Sequence, residues 1–202
     1  MTEMTLPNGY YTLPRGKLAN VVICLEMLAK PDAAPVPFPP GLTLQPADRT
    51  DLARHRALFS EVGRDIMWFS RLIMADEKLA AILGDANYLP FVLTHQGRDV
   101  GMLELDFREA GQCELAFFGL VPDMVGTGAG RALMAQAIGM AWARPINRFW
   151  VHTCTFDHPK ALGFYRASGF TPYAMMVELH DDPRLTGHME RTASAKVPLF
   201  ES

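Results

Sequence analysis

The chain has 202 residues, 49% of them hydrophobic and 20% charged, with a formal net charge of −3. One domain, or one domain with an appendage, is expected, with a core that needs no disulfide or metal staple. The composition excludes a disordered chain, no uncharged apolar run approaches the ~18 residues of a membrane-spanning helix, and the charge balance offers no broad basic surface for nucleic acid.

The three cysteines, Cys24, Cys113 and Cys154, lie in apolar stretches and match no disulfide framework or CxxC pair. The start, MTEMTLPNGYYTLPRGKL, carries no basic segment followed by an apolar core. A reducing compartment, the cytoplasm, is the expectation.

Lys17–Leu28 is rich in β-branched and apolar residues and reads as a strand. Five prolines then fall within ten residues, Pro31 to Pro40. Proline lacks an amide donor and fixes φ, so this stretch reads as an extended linker. Residues 1–40 are therefore expected to be an N-terminal arm and linker, a spacer in preference to a ligand for another protein. From Gly41 the pattern becomes regular. A short strand at 42–44 precedes a helix capped by Asp48 or Thr50 and running to about Ser60. A second helical region is expected over 65–83, closed by Gly84. Strands follow at 88–94, 99–107 and 112–121, turning at Gln96-Gly97 and Ala110-Gly111. A helix over 130–144 stops at Pro145, a strand covers 149–155, and a helix over 159–168 ends at Gly169. A last strand covers 173–179. The tail from Asp181 reads as a loop, apart from the apolar Val197–Phe200. The order predicts a mixed α/β sheet over 41–180, with 181–202 as a C-terminal tail.

The segment VPDMVGTGAGRAL (121–133) ends a strand, passes three alternating glycines and opens a helix. Gly126, Gly128 and Gly130 can turn consecutive backbone N–H groups toward an anion at the positive end of the helix dipole. A tight strand–helix turn is the plainer reading. A Walker loop is excluded because Arg131-Ala132 stands where GK[ST] would end. A Rossmann fingerprint has different glycine spacing and opens the first βα unit.

This segment resembles motif A of the GNAT superfamily of N-acetyltransferases, [Q/R]xxGx[G/A], which binds the pyrophosphate of acetyl-coenzyme A. Val125 stands where the motif has Gln or Arg. Downstream, HPKALGFYRASGF (158–170) is similar to the superfamily's motif B, NxxAxxxYxxxGF. Ala161, Tyr165, Gly169 and Phe170 match, and His158 replaces Asn. The resemblance covers about residues 41–180. It implies an acyl-CoA N-acyltransferase fold with a mostly antiparallel central sheet flanked by helices, and acetyl-CoA as co-substrate. It further implies a cofactor site at Gly126, Thr127, Gly128, Ala129, Gly130, Arg131 and His158. The backbone of Phe118, Gly119, Leu120 and Val121 would pair with the pantetheine arm, with Gly119 allowing a bulge or close approach of the ligand.

Acetyl transfer to an amine requires the amine to lose a proton, the carbonyl to be polarised and the thiolate to be protonated. Tyr165 holds the family's general-acid position; a tyrosine on an apolar helix face is otherwise a core residue. Glu114 is the one acid of its strand, 11 residues before Val125, the offset of the basic glutamate in histone-type members of the superfamily. Strict alternation puts Glu114, Ala116 and Phe118 on one face. The apolar company raises the carboxyl's pKa, which suits a base; a solvent-facing carboxylate is the alternative. Glu104 is the second candidate, as base or as binder of a substrate ammonium.

His152, Cys154 and His158 are too few for a metal site, and no metal is expected. Met67, Trp68, Phe69, Leu72, Ile73 and Met74 form an apolar patch, either core or, where exposed, an acceptor wall or dimer contact. The expected function is transfer of an acetyl group from acetyl-CoA to a primary amine of a small molecule or peptide, by direct attack in a ternary complex. The alternative is an acyl-CoA-binding module without catalysis. Neither nucleic acid nor membrane is an expected partner, and a homodimer is left open.

Overall fold

The computed structural model describes residues 7–32 and 34–201; of the expected N-terminal arm, residues 1–6 and 33 lie outside the described residues. The elements are β1 (Lys17–Met27), β2 (Leu42–Pro46), α1 (Leu52–Gly63), α2 (Asp76–Gly84), β3 (Tyr88–His95), β4 (Arg98–Asp106), β5 (Gln112–Leu120), α3 (Ala129–Ala141), β6 (Arg148–Cys154), α4 (Ala161–Ala167) and β7 (Thr171–Asp181). They build one seven-stranded sheet in the order β2-β3-β4-β5-β6-β1-β7. Every neighbouring pair is antiparallel except β5 with β6.

The segment expected in an arm outside the regular domain is an interior strand. β1 pairs with β6 on one side and β7 on the other. Its alternation of buried Leu18, Val22 and Cys24 with less buried neighbours fits a strand with one covered face. The tail is loop, as expected, but it is bound down. Arg184 and Asp182 are both buried, paired at 2.6 Å, and the guanidinium also donates to the carbonyls of Val197 (2.7 Å) and Pro198 (3.1 Å). Val197 joins a small core with Leu18, Met67 and Phe156.

Asp51, one residue past the expected Thr50, caps α1 by accepting the Arg54 amide at 2.9 Å. The helix buries His55, Leu58, Phe59 and Val62, the spacing of one helical stripe. The expected long second helix is interrupted. A 3₁₀ turn covers Arg64–Ile66, Met67 takes a left-handed conformation (φ 59°), and α2 starts only at Asp76. The irregular stretch between them turns Arg71 inward, which an uninterrupted amphipathic helix would not do.

The helices divide between the two faces of the sheet. α3 and α4 share a core with Leu103, Leu105, Leu115 and Phe149. α1 packs with Met102 and Phe117, and α2 with Tyr88 and Ala116, on the opposite face. Among the described residues no helix is long and apolar enough to cross a membrane.

Candidate active site

The parallel pair β5–β6 holds together for three positions only, Gln112↔Arg148, Cys113↔Phe149 and Glu114↔Trp150. Beyond Glu114 the two strands diverge, while β5 stays paired to β4 as far as Leu120. A wedge opens in the middle of the sheet, and one edge of β5 lines it without a strand partner. From Glu114 to Leu120 the wedge runs about 20 Å, at ~3.3 Å per residue.

Strict alternation along β5 fails inside the wedge. Glu104 pairs with Phe117 and Leu105 with Leu115, which leaves Ala116 as a bulge. The extra residue inverts the following side chains. Phe117 packs edge-on against Phe59 and Trp68 on the α1 face. Phe118 turns to the other face, against Phe164 and Tyr165 of α4. Phe118 therefore does not share a face with Glu114 and Ala116. Gly119 is not the bulge, and its missing side chain serves packing instead: a Cβ there would lie 2.3 Å from Val62 Cγ1.

At the open end of the wedge the chain turns through Pro122–Met124 into the glycine loop. Gly126 and Gly128 adopt left-handed φ of 86° and 92°, which side chains resist, and Gly128 caps α3. The amides of Gly126, Thr127, Gly128, Gly130 and Arg131 have no partner among the described residues. That of Ala129 meets only the Thr127 hydroxyl, at 3.4 Å. Five free donors at the start of a 13-residue helix form a cradle for an anion. Val125 is 52% exposed and adds no donor. His158 sits exposed before α4, its Nδ1 accepting the Lys160 amide at 3.2 Å.

At the closed end, Glu114 lies where the strands part, its side chain 24% exposed and its Oε1 3.8 Å from His152 Nδ1 on β6. Burial and the like charge of Asp106, its cross-strand partner, push its carboxyl up to about 7. Tyr165 is buried among Phe118, Phe164 and Phe170, and its hydroxyl makes no hydrogen bond among the described residues. Burial raises its pKa well above the usual phenol value, so it stays protonated.

Glu104, the second candidate base, is enclosed. It is 1% exposed and is shared by His55 Nε2 (2.6 Å), the Tyr88 hydroxyl and Arg71 (3.5 Å). Burial alone would raise its pKa, but the hydrogen bond and charge of His55 with the Arg71 charge outweigh it, and the carboxyl lies below its ordinary value. No acceptor can reach it. The Arg71 guanidinium also covers the Phe117 ring at 4.8 Å, which ties the network to the α1 side of the wedge.

Cys24 and Cys113 are buried and Cys154 is partly so. Burial raises the Cys113 thiol above its ordinary range and pushes Cys154 up to about 11. Among the described residues no group of three potential ligands converges on a metal position. The apolar patch after α1 is mostly packed, with Met67 buried and Trp68 against Phe59, while Ile73 is 50% exposed.

The sequence profile described as the acetyltransferase (GNAT) family matches residues 55–170, more than half of the chain. The chain belongs to the GNAT acetyltransferase family. Solved structures of the same fold include a GCN5-related N-acetyltransferase from Sphaerobacter thermophilus. Its TM-score is 0.55 at 15% identity, with 81% of this chain and 52% of that one covered. A conserved protein of unknown function from Staphylococcus epidermidis has a TM-score of 0.54 at 12% identity, covering 83% and 63%. An aminoglycoside acetyltransferase from an uncultured soil metagenomic sample has a TM-score of 0.50 at 20% identity, covering 63% and 87%. This GNAT chain thus spans less than two thirds of the length of the first two. No curated protein matches it in sequence.

Three features of the wedge were not readable in advance. Phe117 replaces Phe118 on the α1 face, Arg71 reaches the site from an irregular segment, and His152, two positions past Trp150 opposite Glu114, brings its ring to 3.8 Å from that carboxylate. The alternation of β6 places His152 on the face of Trp150, but nothing local couples β6 to Glu114.

Proposed function

We propose that this GNAT protein transfers an acetyl group from acetyl-CoA to a primary amine, in a ternary complex without an acyl-enzyme. One observation carries the reading. The unpaired edge of β5 runs from a cradle of free amides to a half-buried glutamate, over a length suited to an extended pantetheine arm. When bound, acetyl-CoA supplies the activated acyl group. The amides of Gly126 to Arg131 would hold the pyrophosphate, with the α3 dipole adding to their charge. The free N–H and C=O groups from Phe118 to Leu120 would pair with the pantetheine amides as an added strand would, and Val121 and His158 would border the site.

Glu114, with a pKa of about 7, is suited to accept the amine's proton, directly or through water. The more exposed His152 lies 3.8 Å from it. Tyr165 remains a neutral phenol and is suited to protonate the departing thiolate. The acceptor is a small-molecule or peptide amine; the aminoglycoside acetyltransferase of the same fold supports that class.

The test is release of free coenzyme A measured against a panel of amines. The proposal expects release that depends on the amine and yields an N-acetyl product. Tight binding of coenzyme A with no amine-dependent release would instead establish a binding module.

A further inference from the structure

The proline-rich segment before β2 ends at the proposed cofactor site. β1 ends at Met27, opposite Phe149 at the start of β6, the end of the sheet away from the glycine loop. β2 begins at Leu42 opposite His95, at the same end as Leu120 and the loop. The chain between them must therefore travel the length of the sheet. On the way Pro31 lies against Gly169 at the end of α4, 3.7 Å from where a Cβ on that glycine would stand. Pro39 lies in the same relation to Gly128, at 3.9 Å. Both contacts are with the α3/α4 side of the molecule.

Phe38 is the anchor. It is half-buried and packs against both main cores, the one holding Leu133 and Tyr165 and the one holding Val121 and Ala129. Pro39 is fixed on the other side, because its carbonyl accepts the Leu42 amide at 3.3 Å as the chain turns at Gly41 (φ 82°) into β2. Gly128, whose missing side chain would point to Pro39, is the left-handed residue that aims the loop's amides. The loop has little else to hold it. Gly126, Thr127 and Gly128 are exposed; the loop is held by Thr127 Oγ1 donating to the Met124 carbonyl (2.8 Å), the long contact to the Ala129 amide, and the Ala132 amide donating to the Gly128 carbonyl (3.2 Å). A loop so weakly tied loses conformational freedom when it closes on an anion, and that loss weakens binding.

We propose that Phe38 and Pro39 are positioning residues of the acyl-CoA site: they wall the glycine loop and hold it in its binding conformation before the phosphate arrives. The inference rests on the acyl-CoA reading above. The wall borders the cradle without occupying its donors, since the amides of Gly126, Thr127, Gly128, Gly130 and Arg131 stay free among the described residues.

Acetyl-CoA affinity by calorimetry and steady-state kinetics test it on wild type, Phe38→Ala, Phe38→Leu and Pro39→Gly. Phe38→Ala should weaken acetyl-CoA binding and raise its KM about tenfold, the order of one residue's ordering cost. The KM of the amine should stay within about twofold, and Phe38→Leu should recover most of the loss. In the wild-type chain, saturating acetyl-CoA should slow hydrogen exchange of the Leu42 amide, which the Pro39 carbonyl holds at 3.3 Å. Unchanged affinity in a folded Phe38→Ala variant overturns the proposal, as does an equal rise in both KM values. If that variant does not fold, wild-type Leu42 amide exchange that ignores acetyl-CoA overturns it instead. A wild-type chain that binds no acetyl-CoA overturns the parent reading, whereas wild-type binding matched by every variant overturns the wall alone.

Discussion

Replacing Glu114 by glutamine preserves shape and removes the carboxylate proposed as base at the closed end of the wedge. An alkyl amine with a pKa of roughly 10.4 is neutral in only about one molecule in 2,500 at pH 7. A carboxylate with a pKa of about 7 is half ionised at that pH. It can recover much of that deficit, so the expected loss in kcat/KM at pH 7 is on the order of 10²- to 10³-fold. The shape of the pH profile is the sharper test. Below pH 7 the wild-type base and the neutral amine of the variant both decline with falling pH, so the deficit should be constant. Above pH 7 wild type levels off while neutral amine keeps rising, so the deficit should shrink by about tenfold per pH unit. The same substitution should stabilise the fold. Glu114 ionises near 4.5 in the unfolded chain and at about 7 in the folded one. Its protonated form is thus favoured by folding; that contribution is complete below about pH 4.5 and is lost as pH rises through 7. At pH 8 the glutamine variant should be more stable than wild type by up to about 3 kcal/mol, at ~1.36 kcal/mol per pKa unit. Thiol-release kinetics from pH 6 to 9 and thermal melts at pH 5 and 8 measure both. A deficit that stays constant to pH 9 would refute the base assignment and leave substrate positioning.

Tyr165→Phe should lower kcat about 10²-fold with acetyl-CoA affinity and Tm nearly unchanged, since the hydroxyl has no hydrogen-bond partner to lose among the described residues; a fully active variant assigns the ring to packing. Gly128→Glu adds a negative charge and a strained φ of 92° at the anion cradle, and calorimetry should find coenzyme A binding abolished; unchanged affinity would move the pyrophosphate elsewhere. Glu104→Ala leaves His55 and Arg71 buried without their shared carboxylate and should cost about 3–5 kcal/mol, read as a Tm drop on the order of 10 °C; a small change would mean the network is solvated. Gly119→Ala forces a methyl to 2.3 Å from Val62 and should cost about 1–3 kcal/mol by overpacking, with denaturant titration as the measure.

Features written in short spans of sequence were legible from it. The glycine run at 126–130 announces a strand–helix turn with open amides, because only glycine takes φ of 86° and 92° without strain. The spacing of Ala161, Tyr165 and Gly169 marks a helix and its end, and Lys17–Met27 carries the β-branched content of a strand. Features that depend on who neighbours whom were not. Nothing in Lys17–Met27 says that it inserts between β6 and β7, because partner choice is settled by burying one face against elements more than 100 residues away. Nothing in QCELAFFGL announces the bulge at Ala116, which arises where β5 stays with β4 while leaving β6, and which sends Phe117 and Phe118 to opposite faces. Glu114 and Glu104 read alike as acids in apolar strands. Tertiary packing gave one of them three buried polar partners, and it left the other at the strand divergence with Asp106 beside it and its proton held to about pH 7. Chain-local chemistry acts over a few residues, whereas sheet order and side-chain burial are set by the whole core at once.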